Sequence, residues 1–298
     1  MALHTSPSAH AGPGHHEHGH GHAADAADAL AEALDLDAEL FGFHLTSALD
    51  SLASLLDDRV TAIVDLGAGS GTGTLALLER FPGATVTAVD TSPAMLTKTA
   101  AKARARGFGE RVRTLRADAG RELPGIEGAD LVWAASSLHH LDDPAAALSS
   151  VRAALRPGGL LAVSEMDGMP RFLPEEAVAE RPGLEARCRE ALSALHAEQV
   201  PHLGADWGTL LRQAGYIVEA ERTEQLKLTA PLPAATGRYA HLVLERVRSA
   251  VADRLEAADV AALDTLLDGG PHDVRHRDDL QVRSTRQLWA ARLSAAGS

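Results

Sequence analysis

A glycine-rich turn between a strand and a helix constrains this chain more than any other stretch. Val60 to Leu66 is an apolar run that predicts a short strand, and leucines from Leu75 onward predict the helix that follows. Between them, glycines stand at four alternate positions: Gly67, Gly69, Gly71 and Gly73. Glycine permits positive φ and has no Cβ, so the backbone can turn tightly while a ligand approaches it. Because N–H groups at a helix start attract negative charge, the turn predicts a site for a small molecule with an anionic end.

The glycine spacing separates this turn from two other ligand-binding loops. A dinucleotide loop, G-x-G-x-x-G, would need a third glycine where Thr72 or Thr74 stands, and the phosphate loop would need a lysine. The motif present is D-x-G-x-G-x-G, which resembles motif I of class I S-adenosylmethionine-dependent methyltransferases. The resemblance implies S-adenosylmethionine as cofactor and these cofactor-binding residues: Asp65, Gly67, Gly69 and Gly71. A tight turn that binds nothing is the alternative.

The next predicted strand, Ala84 to Val89, ends in an acidic residue. Asp90 follows the glycine loop by roughly 20 residues, where nucleotide-binding folds carry a ribose-binding acid. Its two carboxylate oxygens can accept hydrogen bonds from both ribose hydroxyls, although an acid that only caps the next helix is the alternative. Ser92 and Pro93 predict the start of that helix. The resemblance adds two cofactor contacts here: Thr91, and Met95 against the adenine.

Two later strand ends complete the predicted cofactor site. Val112 to Arg116 leads into Asp118 and Ala119, which resemble the family position that accepts a hydrogen bond from the adenine amino group. The fourth predicted strand, Ala129 to Ala134, is followed by a loop that begins with Ser136, another predicted cofactor contact.

The same loop carries two adjacent histidines, His139 and His140, which are the predicted catalytic residues. An imidazole near its ordinary pKa can act as general base, although one of the two could simply pack against the next helix. Other candidates for the base lie elsewhere in the chain: Glu165, His196, His202 and His241. The N/D-P-P-[YF] sequence of many nucleic-acid amino-methylating enzymes is absent, and the histidine pair resembles small-molecule members of the family. No acidic cluster resembles the metal site of catechol-type enzymes, so no catalytic metal is expected.

Strands alternate with helices as far as Gly215, which predicts a parallel sheet with helices on both faces. The predicted fold is α/β: a doubly wound, mostly parallel seven-stranded sheet with an antiparallel edge pair and helical insertions. We predict four segments along the chain: a disordered His-rich tail over 1–22, capping helices over 23–57 divided at Gly42, a core over 58–230 with an insertion over 166–206, and a helical insertion with the final strand over 231–298. Both insertions leave strand carboxyl ends, so they should roof the active site.

The composition of the chain argues against a nucleic-acid or membrane partner. The formal net charge is -13, and the densest basic stretch, Lys98 to Arg106, is typical of one solvated helix face, so no nucleic-acid partner is expected. A single cysteine, no apolar run of membrane-spanning length and no signal-peptide core predict a cytoplasmic monomer or homodimer without a membrane partner. The sequence thus favours methyl transfer to an oxygen or nitrogen of a small-molecule acceptor. Two alternatives stay open: a cofactor-binding protein without methyl transfer, and a protein that binds metal through its His-rich tail.

Overall fold

The computed structural model describes residues 18–56, 59–200 and 202–293. One mixed sheet of seven strands forms the centre, in the order β3-β2-β1-β4-β5-β7-β6. The strands are β1 (Ala62–Leu66), β2 (Thr85–Asp90), β3 (Val112–Arg116), β4 (Ala129–Ala135), β5 (Leu155–Met166), β6 (Tyr216–Leu228) and β7 (Val282–Leu293).

The helices lie on both faces of the sheet and beyond one of its edges. They are α1 (His18–Ala53), α2 (Thr72–Arg80), α3 (Pro93–Ala105), α4 (Pro144–Ala154), α5 (Leu184–Gln199), α6 (Trp207–Gln213), α7 (Thr236–Val251) and α8 (Ala257–Leu267). Within the described ranges, none of them has the length and apolar character that crossing a bilayer would require.

Strand direction confirms the predicted fold class. The strands β1 to β5 pair in parallel, whereas β7 lies antiparallel between β5 and β6. The carboxyl ends of β1 to β5 and of β6 therefore meet at the same edge of the sheet. In open α/β sheets this edge is where ligands bind.

The core has one layer on each face of the sheet and a third cluster among the helices α1, α5, α7 and α8. Along β1, Ile63 packs with α1 and α2 on one face, and Val64 packs with α4 and α6 on the other. A separate apolar cluster joins the middle of α1 to α5, α7 and α8. Its aromatic members, Phe41, Phe172 and Tyr239, are almost fully buried, and each such burial stabilises the fold by about 1.5–3 kcal/mol. The insertion helices α5, α7 and α8 are thus packed against α1 as part of the fold.

The structure corrects the prediction of a helix break at Gly42. The helix α1 runs without interruption from His18 to Ala53, and a Cβ at Gly42 would meet no atom within 4 Å. Glycine inside a helix costs about 1 kcal/mol, which the buried leucines on either side of it, Leu40 and Leu49, outweigh. The helix also begins within the stretch predicted to be disordered, and residues 1–17 lie outside the described residues.

The sequence L-R-P-G-G-L-L over residues 155–161 predicts a turn before the fifth strand, and the structure corrects this prediction over Arg156 to Gly159. These residues belong to β5 and bulge from it, because Leu155 pairs with Ala129 while Leu160 pairs with Leu131. A Cβ at Gly159 would lie 2.7 Å from the carbonyl oxygen of Ala129, so only glycine fits where the strand rejoins its neighbour.

Candidate active site

A cavity of about 850 Å³ lies at the carboxyl edge of the sheet, beneath α1. At the glycine-loop end, its wall consists of the loops that follow β1, β2, β3 and β4. At the Arg286 end, the wall consists of Arg286 from β7 and of side chains from α1. No residue of α5, α7 or α8 lines the cavity among the described residues, so the prediction that the two insertions roof the active site is wrong: α1 covers it instead. From β2 to β7 the sheet steps across four strand spacings, or about 19 Å. The cavity is therefore long enough to hold two small molecules side by side.

The glycine-loop end brings together most of the predicted cofactor residues. The nine that line the cavity are Asp65, Gly67, Gly69, Asp90, Thr91, Met95, Asp118, Ala119 and Ser136. Gly71 does not line it; its φ is 89°, and a Cβ there would lie 2.9 Å from the backbone of Thr99. Its role in the structure is to let the first turn of α2 pack closely on α3.

Backbone hydrogen bonds hold the glycine loop against β2. The N–H groups of Gly67 and Ala68 both donate to the carbonyl of Val89, at 2.8 and 2.9 Å. At Gly67, φ is 74°, and a Cβ would lie 2.4 Å from Cβ of Ser137. A side chain at this position would push the glycine loop away from the loop that follows β4.

The carboxylate of Asp90 connects the glycine loop to the loop that precedes α3, whose N-cap is Ser92. Its Oδ2 accepts a hydrogen bond from the N–H of Gly69 at 2.9 Å, and its Oδ1 accepts one from the N–H of Ser92 at 2.8 Å. Each carboxylate oxygen still has acceptor capacity. The residue thus fixes two loops, and both of its oxygens keep acceptor capacity at the cavity wall.

A buried carboxyl group and an unpaired indole lie deeper in the wall. Asp65 is 2% exposed, and its Oδ2 accepts a hydrogen bond from the Thr74 hydroxyl at 2.5 Å. Burial, and secondarily the charge of Asp90, raise the pKa of Asp65 to about 6, while the Thr74 hydrogen bond opposes this rise. On the adjacent strand, Nε1 of Trp133 is buried and has no hydrogen-bond partner among the described residues. An orphaned donor in a cavity wall is the feature expected where a polar ligand such as the implied cofactor binds.

The Arg286 end rests on one face of α1, where Asp37, Phe41 and His44 follow at helical spacing. Arg286 is 7% exposed; its Nη2 donates to Oδ1 of Asp37 at 2.6 Å, and its guanidinium carbon lies 4.8 Å from the ring centroid of Phe41. The hydroxyl of Tyr239 donates to the same Asp37 oxygen at 2.7 Å. The network fixes a charged guanidinium in a mostly apolar surrounding.

The predicted catalytic histidines occupy different positions. His140 lines the cavity, whereas His139 is buried behind it, with ring centroids 4.0 Å apart. Nδ1 of His139 lies 2.6 Å from Oε2 of Glu165, whose Oε1 accepts the N–H of Leu138 at 3.1 Å. Desolvation, and then the nearby His139, lower the pKa of His140. The loop pair therefore offers one imidazole to the cavity and holds the other in place.

The remaining candidates for the base are absent from the cavity wall that the described residues form. They are Glu165, His196, His202 and His241. Burial, and then the nearby His139, lower the pKa of His196, and Nδ1 of His241 lies 3.5 Å from Asp273.

No sequence pattern indicates the cavity position of four residues that figure in the hydrogen-bonding analysis of its wall. They are Asp37, His44, Trp133 and Arg286. Two of them stand on a helix predicted only to cap the site, and Arg286 stands on the final strand, which carries no motif. Their lining positions follow from tertiary contacts alone.

The comparisons with known proteins agree with this geometry. Residues 64–161 match the family described as "Methyltransferase domain". A trans-aconitate 2-methyltransferase of Enterobacter sp. (strain 638) is 36% identical over 152 residues, which are 50% of this chain and 58% of that protein. The enzyme of that name from Azoarcus sp. (strain BH72) is 33% identical over 199 residues, which are 61% of this chain and 74% of that protein.

Coverage of these relatives is partial, and structural likeness extends further. The chain spans 58% of the Enterobacter protein and 64% of an Escherichia coli trans-aconitate 2-methyltransferase. A crystal structure assigned as a methyltransferase from Bacillus halodurans C-125 covers 83% of this chain and 98% of its own, at 19% identity and a TM-score of 0.52. That likeness supports the fold.

Proposed function

Because this chain belongs to the class I methyltransferases, whose cofactor is S-adenosylmethionine, we propose that it transfers the cofactor's methyl group to an oxygen or nitrogen atom of a small molecule. One observation carries the proposal: a single cavity joins the glycine loop and Asp90 to a second polar wall around Arg286. Pockets for small ligands usually measure about 300–1,000 Å³, so a cavity of about 850 Å³ has room for a cofactor and a small acceptor.

The glycine-loop end is the proposed cofactor site. Asp90 binds the ribose hydroxyls with the acceptor capacity that its two backbone hydrogen bonds leave free. Met95 packs against the adenine, and Asp118 accepts a hydrogen bond from the adenine amino group. The cofactor supplies a methyl carbon made electrophilic by a positively charged sulfur. Asp65 and the glycine loop, which line this end of the cavity, would hold the cofactor near that positive charge.

The Arg286 end is the proposed acceptor site, since it lies beyond the fourth strand on the far side of the cavity. Holding the acceptor in line with the methyl group is the main catalytic task, because orientation lowers the barrier of a two-reactant step. The relatives from Enterobacter and Azoarcus are named for methylating trans-aconitate, which carries carboxylates. A buried guanidinium such as Arg286 is suited to bind a carboxylate of an acceptor, so trans-aconitate is the first acceptor to test.

The experiment supplies the full chain with S-adenosylmethionine labelled at the methyl carbon. The acceptors are trans-aconitate, a catechol and a primary amine, each in a separate reaction, and labelled product is identified by mass spectrometry. Transfer to any of them supports the proposal and identifies the acceptor atom. Tight calorimetric binding of S-adenosylhomocysteine without transfer to any acceptor would favour the alternative, a cofactor-binding protein that does not methylate. The metal-binding alternative concerns the His-rich tail, most of which lies outside the described residues.

A further inference from the structure

An unpaired imidazole nitrogen lies at the Arg286 end of the cavity. His44 lines the cavity and is 8% exposed, and its Nδ1 lies 2.9 Å from Oε2 of Glu224. An ionised carboxylate can only accept a hydrogen bond, so Nδ1 carries the proton. In the neutral ring this leaves a lone pair on Nε2. That atom is buried and has no hydrogen-bond partner among the described residues.

Such an atom calls for a partner, because nearly all buried polar groups in folded proteins are hydrogen-bonded. No protein group of the described chain fills that role for Nε2. Because His44 belongs to the cavity wall, a molecule bound at this end is the candidate partner for Nε2.

The comparison with His139 sharpens the assignment. Both imidazoles present Nδ1 to a glutamate, but His139 is absent from the cavity wall and lies behind His140. His140 lines the cavity, yet no carboxylate of the described chain contacts its ring. Among the described histidines, only His44 combines a cavity position, an orienting carboxylate and an unpaired nitrogen.

The surrounding charges hold this imidazole in a fixed orientation. Glu224 on β6 pairs across the sheet with Arg286 on β7, so the two side chains lie on the same face. Arg286 donates a hydrogen bond to Asp37, which lies on the same face of α1 as His44. The hydroxyl of Tyr239 on α7 donates to the same carboxylate. Strands β6 and β7 and helix α7 thus each contribute a charged or polar group to this end of the cavity, and among the described residues none of these groups bonds to Nε2.

We propose that His44, oriented by Glu224, is the general base that accepts the acceptor's proton during methyl transfer; this role rests on the proposed function. The acceptor's oxygen or nitrogen forms a bond to the methyl carbon while the carbon–sulfur bond breaks. The electron pair of the broken bond stays on sulfur. The proton leaves the acceptor for Nε2 and forms an imidazolium next to the Glu224 carboxylate. Deprotonation by water returns the neutral ring.

The test compares single variants in the full chain: His44→Gln, Glu224→Gln, His140→Gln and, as matched control, the exposed His272→Gln. Each is assayed with the catechol, the primary amine and trans-aconitate from pH 5 to 9. On the catechol or the amine, His44→Gln should lower turnover by about 10²–10⁴-fold, the contribution of a positioned general base. Because a general base must be unprotonated to accept a proton, the wild-type rate should fall toward acid pH, and the variant should lack this fall. The Glu224→Gln variant should lose less, because Glu224 only positions the base.

Two readouts are independent of turnover. Calorimetry should give His44→Gln and His272→Gln the wild-type affinity for S-adenosylhomocysteine, since His44 lies at the Arg286 end and His272 is exposed. Nitrogen-15 NMR of the ring at pH 8 should show a protonated Nδ1 and an unprotonated Nε2.

Four results would overturn the assignment. The first is wild-type turnover of a catechol or amine by His44→Gln, and the second is loss of that turnover only in His140→Gln. The third is a proton on Nε2 at pH 8. The fourth is a wild-type protein that methylates trans-aconitate alone, because an ionised carboxylate has no proton to lose. A wild type that binds S-adenosylhomocysteine and methylates no acceptor instead overturns the proposed function, and this role with it.

Discussion

The two ends of the cavity are built in different ways. At the glycine-loop end, hydrogen-bonded partners are closer in sequence: Thr74 and Asp65 are 9 residues apart, Gly69 and Asp90 are 21 apart, and Ser137 and Leu66 are 71 apart. At the Arg286 end, the pairs are 180 residues apart for His44 and Glu224 and 249 apart for Asp37 and Arg286. The first end is a set of strand-to-helix turns, and the second exists only when α1, α7, β6 and β7 are all in place. Substitutions at the glycine-loop end should therefore change cofactor binding, whereas substitutions at the Arg286 end should change acceptor binding and stability.

The largest effect is expected at the Arg286 end. Arg286→Met should cost about 3–5 kcal/mol of unfolding free energy, because it leaves the Asp37 carboxylate without its charged partner. Denaturant unfolding measures this loss, and Arg80→Met at the exposed Arg80–Asp50 pair is the control, expected to cost less than about 1 kcal/mol. Protein that remains folded should bind S-adenosylhomocysteine normally. A joint loss of stability and cofactor affinity would show that the two ends are not independent.

The second prediction concerns the carboxyl group of Asp65 and the pH dependence of stability. Its pKa in the folded protein is about 6, above the usual 3.8, so the folded state favours the protonated form. The resulting stabilisation is present below pH 3.8 and is lost as the pH rises through 6. Asp65→Asn keeps the neutral form at all pH values and should therefore raise the unfolding free energy at pH 8, by about 3 kcal/mol at most.

Thermal unfolding from pH 4 to 8 tests this: the gain in Tm for Asp65→Asn should be small at pH 4 and grow through pH 6. A gain that is constant with pH would mean that the carboxyl group does not titrate in this range. At pH 8 the same variant should bind S-adenosylmethionine more weakly, since it removes a negative charge near the positively charged sulfur.

The third prediction tests the glycine-loop end alone. Asp90→Ala should weaken S-adenosylhomocysteine binding by about 1–3 kcal/mol, because it removes a charged acceptor and leaves the Gly69 and Ser92 N–H groups unpaired. Isothermal titration calorimetry measures the change, and Asp278→Ala at an exposed acid is the control. Unchanged affinity would remove Asp90 from the cofactor site.

Most of the fold and the glycine-loop end could be predicted from the sequence because their signals are local. Val112 to Arg116 is a strand with the predicted bounds, and the final strand lies inside the segment predicted to hold it. Turn residues mark the other strand ends to within a few positions. The Arg286 end could not be predicted in this way. Nothing near His44 in sequence indicates Glu224, and Arg286 stands in a strand whose alternation predicts burial but not a partner. A periodic pattern gives the face of an element and leaves open which distant element packs on it.

The smallest predicted effect returns to Gly42, where the sequence misled. The structure puts this glycine inside α1 with open space around its missing Cβ. Gly42→Ala should therefore stabilise the protein by about 0.5–1 kcal/mol, because alanine loses less backbone entropy in a helix. Denaturant unfolding would show the gain as a higher midpoint at unchanged slope. A loss of stability would instead support the predicted division into two helices at Gly42.

The position of β7 has a consequence for synthesis of the chain on the ribosome. This strand is made last of the seven, yet it lies between β5 and β6 in the sheet. Until it emerges, the apolar edge of β5 has no partner, and β6 has no strand to pair with. At about 5–20 residues per second, the interval from β5 to β7 is on the order of ten seconds. During translation, an unpaired edge of this kind attracts other nascent chains or a chaperone.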